Sequence, residues 1–311
     1  MTPTREVFAG IDVGGTTTQV VLVDEQLRPI AHATTRTPAL EGGDAIVGAA
    51  SALIDRLLAD GLPGETALAG IGMGTAGVVD TANGRITVVS DSFAGWAGFD
   101  IRGTLQARYG APTTVANDVN AFLAGEMTAG AGRGAKNALG ITLGTGVGGA
   151  LWLDGRLFGG AHGAAGEIGH TPGFGSLPCT CGERGHLETL AAGRSISGLY
   201  LSATGLVRTP AELSELAADG DAVAERIFRV AGEGVARAIL IATALLDIET
   251  VVIGGGVSNA WPLLHPAIAE HLETEPPVRG TAPSIVRGTL GDSAVAQGAA
   301  ALSFAVERAR Q

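Results

Sequence analysis

The chain has two cysteines, Cys179 and Cys181, and both lie near two imidazoles, His170 and His186. The stretch runs Glu167-Ile168-Gly169-His170, then Cys179-Thr180-Cys181-Gly182-Glu183-Arg184-Gly185-His186-Leu187-Glu188. Thiolate and imidazole together suit a closed tetrahedral Zn²⁺ site. Such an ion would pin a glycine-rich loop and hold the flanking carboxylates, Glu167 and Glu188, in fixed positions. The competing reading is a metal-free loop in which His186 is only packed. His162, in Gly160-Ala161-His162-Gly163, reads as a loop histidine and not a ligand.

A second carboxylate with chemical promise is Asp118, in Asn117-Asp118-Val119-Asn120. It follows a buried apolar run and opens a helical pattern. A carboxylate there is commonly an N-cap. It is also well placed as a general base, accepting a hydroxyl proton as the oxygen attacks phosphorus.

Two glycine turns could serve phosphate. Asp12-Val13-Gly14-Gly15-Thr16-Thr17-Thr18 offers backbone donors and hydroxyls, with Asp12 placed to hold Mg²⁺ through water. Read more plainly, it is a hairpin using glycine for positive φ. Gly144-Thr145-Gly146-Val147-Gly148-Gly149 repeats the same chemistry. Two such turns could hold the β- and γ-phosphates of one nucleotide. Neither is a Walker loop, because no Gly-Lys-Ser/Thr follows. Neither opens a helix after a strand, which disfavours a Rossmann oxidoreductase. Gly254-Gly255-Gly256, after a buried strand, would let a flat ring lie on bare backbone, or simply make a tight turn into a helix.

The elements that must position these residues follow from periodicity. Phe8 to Val23 predicts a hairpin, Ile30 to Thr35 a strand, and Asp44 to Ala59 a helix. Strands are expected at Ala69 to Gly74 and Thr113 to Ala116, with helices at Ile101 to Tyr109 and Asn120 to Ala129. Asn137 to Leu143, a glycine turn, Ala150 to Leu153 and the turn Asp154-Gly155 repeat the plan of Phe8 to Asp24. Two such units predict two related α/β domains. Further helices are expected at Ala211 to Ala218, Ala222 to Leu246, Pro262 to Leu272 and Ser293 to Arg308, with a strand at Thr250 to Ile253.

Composition bounds the rest. A chain of 311 residues exceeds the usual single core. A net charge of −11 argues against nucleic acid or anionic membrane as partner. No apolar run reaches the length of a membrane span, and Met1 to Phe8 shows no signal peptide. Two cysteines one residue apart are no disulfide framework, so a cytoplasmic protein is expected.

Taken together and in order, these motifs resemble the ROK family of sugar kinases and sugar-responsive repressors, within the actin-like ATPase superfamily. The resemblance rests on Asp12 to Thr16, Asn117 to Ala121, Leu143 to Gly149, Gly166 to His170, Cys179 to Gly185 with Glu188, and Gly254 to Gly256, and it spans essentially the whole chain. It implies an α/β fold of two RNase H-like domains flanking a central cleft. The smaller N-terminal domain would be 1–117, with the helix at about 294–311 packing back on it, and the larger would be 118–293 with the zinc loop. ATP would lie against Asp12, Gly14, Gly15, Thr16, Thr17, Thr145, Gly146, Gly148, Gly254, Gly255 and Gly256, with Mg²⁺. Asp118 would be the catalytic base. Sugar contacts would come from Gly77, Ser90, Asp91, Asn117, Asp118, Glu167, His170 and Glu188. Zinc would take His170, Cys179, Cys181 and His186. A homodimer or homotetramer is expected.

Two departures from the family pattern stand out. His186 replaces the usual third cysteine, leaving a Cys₂His₂ set. In Ser90-Asp91-Ser92-Phe93-Ala94-Gly95-Trp96, the family's asparagine before the tryptophan is missing. An aspartate there could favour an amino group over a hydroxyl. Expected activity is ATP-dependent phosphorylation of a hexose 6-hydroxyl, glucose first. Alternatives are 3-amino-3-deoxyglucose (kanosamine), N-acetylmannosamine, N-acetylglucosamine or fructose, with polyphosphate a possible donor. A catalytically silent sugar sensor is disfavoured by the intact acids and turns. A repressor is disfavoured because the hairpin from Phe8 leaves no room for a helix-turn-helix.

Overall fold

The computed structural model describes residues 5–60, 66–89 and 92–309. By contacts the chain divides into two units.

The first unit opens with an antiparallel meander, β1 (Arg5–Val13), β2 (Thr17–Val23) and β3 (Pro29–Arg36). Helix α1 (Gly43–Ala59) leads to β4 (Thr66–Thr75), which runs parallel to β1. A small hairpin, β5 (Val78–Asp80) and β6 (Arg85–Val88), precedes α2 (Ile101–Tyr109), β7 (Thr113–Asn117) and α3 (Asp118–Thr128). The sheet order is β3-β2-β1-β4-β7.

The second unit repeats this plan. β8 (Ala138–Leu143), β9 (Val147–Leu153) and β10 (Arg156–Phe158) form the meander. Helices α4 (Glu188–Ala191), α5 (Gly193–Thr204), α6 (Pro210–Ala218) and α7 (Ala222–Leu246) follow, then β11 (Thr250–Gly254), α8 (Trp261–Thr274) and β12 (Ser284–Arg287). The order β10-β9-β8-β11-β12 matches the first sheet strand for strand. The turn at Asp154 (φ 51°) and Gly155 (φ 78°) closes β9 onto β10 with two left-handed residues, as a two-residue hairpin of this twist requires.

The final helix, α9 (Ala294–Arg308), belongs to the first unit, as does α3. Contacts therefore divide the chain at 133 and not at 117, with 159–165 and 289–311 also in the first unit. The reason is close packing of small residues. A Cβ added to Gly10 or Gly72 would stand 1.8 Å from the carbonyl oxygen of Ala296 or Ala299, and one on Gly298 would stand 1.7 Å from that of Ala121. Backbone thus lies on backbone between α9, the sheet and α3, with no room for side chains.

β1 is buried on both faces, and its residues alternate between two cores. Ile11 and Val13 join Ile46, Ile54, Met73, Trp96 and Leu105, while Phe8 packs with Val21, Val23, Ala296 and Ala300. Trp96 is fully buried, stacks between Phe93 and Phe99, and donates its indole N–H to Thr75 Oγ1 at 3.1 Å.

Long elements other than α5 fall where periodicity predicts them, and α2 and α7 match to the residue. Three differences are local. Strand β9 begins at Val147 and not Ala150, because the cross-strand pairing continues to Leu143↔Val147. Helix α5 goes unread because Gly, Ser and Thr dilute its apolar face. Strands β5, β6, β10 and β12 have three or four residues each, too few to show a period.

Candidate active site

In the first unit, the turn between β1 and β2 exposes Gly15, Thr16 and Thr17. It is closed by the Gly14 N–H donating to Thr17 O at 3.0 Å, and the Thr37 N–H donates to Thr16 O at 2.9 Å. Asp12 sits one residue from the end of β1, paired with Gly74 of β4. Asp118 starts α3, its Cα 3.8 Å from where a Cβ of Gly74 would be. Gly74 thus lies between the backbones that carry the two acids, and Val295 and Ala121 occupy the space a side chain there would need. Burial first, and the charge of Asp118 second, push the Asp12 carboxyl up to about 7. Two neighbouring carboxylates of this kind are the hard oxygen ligands that suit a divalent cation.

Asn117, not Asp118, is the N-cap of α3, its Oδ1 accepting the N–H groups of Val119 (2.9 Å) and Asn120 (3.4 Å). Asn117 Nδ2 donates to Gly77 O at 2.9 Å. Gly77 has φ 107°, and a Cβ there would meet Val88 O at 2.4 Å, so only glycine fits. Asp118 is the first helical residue, and its Oδ1 accepts the Val119 N–H at 2.9 Å. Ser90 and Asp91 lie outside the described residues.

In the second unit, the turn between β8 and β9 exposes Thr145 and is closed by the Gly144 N–H donating to Gly146 O at 2.9 Å. Gly148 follows on β9. Glu188, buried at the start of α4, binds the turn from behind. Its Oε2 accepts the Val147 N–H at 3.0 Å, and its Oε1 accepts Thr180 Oγ1 at 3.0 Å and Arg194 Nη2. Burial alone would raise the Glu188 carboxyl. The Val147 N–H, Arg194, Thr180 and His170 outweigh it and hold the group below the usual carboxylate range. Glu167 is exposed, immediately before the single turn 168–170 that carries His170.

Among the described residues, His170, Cys179, Cys181 and His186 form one cluster whose donor atoms all lie within 4.8 Å of one another. Cys179 Sγ is 3.7 Å from His170 Nδ1, and Cys181 Sγ is 3.3 Å from His186 Nδ1. Tetrahedral zinc with sulfur at about 2.3 Å and nitrogen at about 2.05 Å puts such atoms about 3.6 Å apart. The donor set fits that ion. Burial, together with Cys181 and Glu188, raises the Cys179 thiol, a cost a bound cation would reverse.

Gly254 is buried at the end of β11, and Gly255 and Gly256 are exposed after it. Gly255 has φ 83°, and its Cβ would meet Leu143 O at 2.5 Å. Beside them is a cavity of about 190 Å³, lined by Gly256, Val257, Asn259 and Ala260 and by Pro210, Ala211, Ser214 and Glu215 of α6. It is below the roughly 300 Å³ at which drug-sized sites begin, so it suits one ring and not a whole nucleotide.

Two glycine turns on sheets of identical order, an acid pair beside one of them and a Cys/His cluster beside the other make a specific combination. The model of the ROK family matches residues 8–305. The chain belongs to the ROK family. A glucokinase of Halalkalibacterium halodurans is 35% identical over 286 residues, covering 86% of this chain and 85% of that protein. An N-acetyl-D-glucosamine kinase of Photobacterium profundum is 32% identical, covering 96% and 99%. The crystal structure of a ROK family glucokinase from Streptomyces griseus, in complex with glucose and AMPPNP, superposes with a TM-score of 0.80 at 28% identity and covers 96% of this chain and 99% of that one. This ROK chain shares their mixed α/β fold, of the actin-like ATPase superfamily. No helix among the described residues is long and apolar enough to cross a membrane.

Sequence reasoning missed four residues of these sites: Arg194, Thr180, Glu215 and Asn259. Thr180 lies between the two cysteines and was legible as a neighbour of the cluster. Arg194 follows Glu188 by six residues across the short break between α4 and α5, a spacing with no helical or strand signature. Glu215 and Asn259 meet the cavity from elements far apart in the chain.

Proposed function

We propose that this protein is an ATP-dependent hexose kinase that phosphorylates the 6-hydroxyl, with glucose the leading substrate. The observation that carries the reading is the place of Asp118: it is the first residue of α3, directly after β7, and lies across Gly74 from Asp12 of β1. That is the placement a general base for phosphoryl transfer needs. Asp118 takes the proton of the attacking hydroxyl. Gly14 to Thr17 and Thr145 to Gly148 hold phosphate oxygens through backbone N–H groups and hydroxyls. Asp12 supports Mg²⁺, which enters with the nucleotide and neutralises charge on its phosphates. The ring-sized cavity beside Gly256 suits the base, with Glu215 and Asn259 as its polar contacts.

Asn117, Glu167, His170 and Glu188 are assigned to the sugar, with Gly77 O orienting Asn117. The Cys₂His₂ cluster holds structural zinc, which fixes His170 through the Nδ1 side of its ring. Relatives named for glucose and for N-acetyl-D-glucosamine share about the same identity with this chain, so the choice of hexose rests on assay. The test is a coupled ADP-release assay over glucose, mannose, fructose, N-acetylglucosamine, N-acetylmannosamine and 3-amino-3-deoxyglucose. Asp118→Ala should lose about 10²–10⁴-fold in kcat while sugar binding largely survives. Near-normal turnover in that variant, or no turnover of any hexose by the wild type, would overturn the assignment.

A further inference from the structure

Glu188 touches three segments at once. Its Oε2 receives the Val147 N–H at 3.0 Å, and a Cβ on Gly146 would stand 2.5 Å from the same oxygen. The phosphate turn thus packs directly on the carboxylate. Its Oε1 receives Thr180 Oγ1 of the cysteine loop and Arg194 Nη2 at the start of α5, and Arg194 Nη2 also donates to Thr180 Oγ1 at 2.9 Å. A carboxylate has about four lone-pair sites. The Val147 N–H, Thr180 Oγ1 and Arg194 Nη2 engage three, and Cys179 Sγ, 3.7 Å from Oε1, takes the fourth, so a sugar hydroxyl gains a site where Cys179 is held as a deprotonated metal ligand or where Arg194 lets go. Arg194 is also 4.0 Å from the Cβ position of Gly146, and its side chain is 39% exposed while that of Glu188 is 8% exposed. The guanidinium therefore reaches in from the solvent side to a buried group that joins turn and loop.

We propose that Arg194 is a positioning residue that holds Glu188 as a strap between the phosphate turn and the cysteine loop, and that this strap makes sugar binding and nucleotide binding interdependent. The inference rests on the kinase reading, in which the turn meets phosphate and Glu188 meets sugar. Phosphate bound on the turn fixes the Val147 N–H, which fixes Oε2, and Arg194 with Thr180 fixes Oε1. The carboxylate then faces the sugar in one orientation. Sugar bound first orders the same groups in reverse, as linkage requires. Without Arg194, Oε1 loses its charged donor and keeps only the Thr180 hydroxyl and the weak Cys179 contact, so order at one end reaches the other less well.

The experiment is calorimetric titration of glucose and of N-acetylglucosamine, each with and without AMPPNP and magnesium, on wild type, Arg194→Met, Arg194→Lys and Thr180→Val. For the sugar that binds, the nucleotide should change the wild-type Kd at least fivefold. Arg194→Met should reduce that factor to twofold or less, and Arg194→Lys should restore part of it. Thr180→Val removes a smaller donor to Oε1 and reports on the strap if Arg194→Met does not fold. A merely structural Arg194 would weaken both ligands together and leave the factor unchanged, and that result overturns the proposal. A wild-type factor of one also overturns it. Failure of the kinase reading has a different signature: neither these two sugars nor any other hexose of the assay panel binds, with or without nucleotide.

Discussion

Asparagine at position 12 should make the first unit more stable and the enzyme inactive. Burial and the neighbouring Asp118 push the Asp12 carboxyl from 3.8 to about 7 in the folded chain. In the unfolded chain it titrates near 3.9. Below about pH 4 the group is protonated in both states and stability is unaffected. Between about pH 4 and 7 the unfolded chain releases the proton while the folded chain retains it, so stability falls as pH rises. Above about pH 7 the penalty is complete. Some three pKa units at about 1.4 kcal/mol each set a ceiling of roughly 4 kcal/mol. Water reaches part of Asp12, and an asparagine must still bury its amide, which leaves about 2 kcal/mol of relief. In a unit of this size that is a rise of about 4–8 °C in Tm. Melting curves in EDTA should show Asp12→Asn well above wild type at pH 8, with most of the gap gone by pH 4.5. Asp118→Asn removes only the smaller cause and should stabilise less. Added magnesium should narrow the gap at pH 8 by stabilising the wild type alone. A variant no more stable than wild type at pH 8, or a gap that ignores pH, would refute the reasoning.

Metal analysis of the purified protein should find about one zinc per chain, and removing it with a strong chelator should lower Tm. His186→Cys should retain the ion and Cys179→Ser should lose most of it. A protein without metal at full activity would reduce the cluster to packing and leave the phosphoryl chemistry untouched. Gly72→Ala places a methyl 1.8 Å from Ala299 O, against backbone that has no rotamer to change. It should cost 3 kcal/mol or more, read as loss of the first unit's unfolding transition. Normal melting in that variant would mean that α9 can lift from the sheet.

By itself the sequence determined the elements and the inventory of chemistry. Periodicity located the long helices other than α5, the two glycine hairpins and their repetition, because the apolar pattern of a helix or strand is local and needs no knowledge of the fold. The Cys/His cluster was legible for the same reason: its ligands lie close in the chain. The tertiary structure decided which of these groups meet. Asn117 and Asp118 both have the composition of a cap, and only backbone geometry at the end of β7 gives the cap to Asn117 and leaves Asp118 as the first helical residue. The raised carboxyl of Asp12 depends on burial and on the charge of Asp118, which approaches it across Gly74 from the start of α3, distant in sequence. Glu188 was recognised as a carboxylate near a metal loop, but its bond to the Val147 N–H spans 41 residues, and nothing in the chain between them records it. Local spacing sets which groups a protein owns. Which groups neutralise, orient or crowd one another is set by long-range contacts that hydrophobic packing brings together, and a single chain does not write those down.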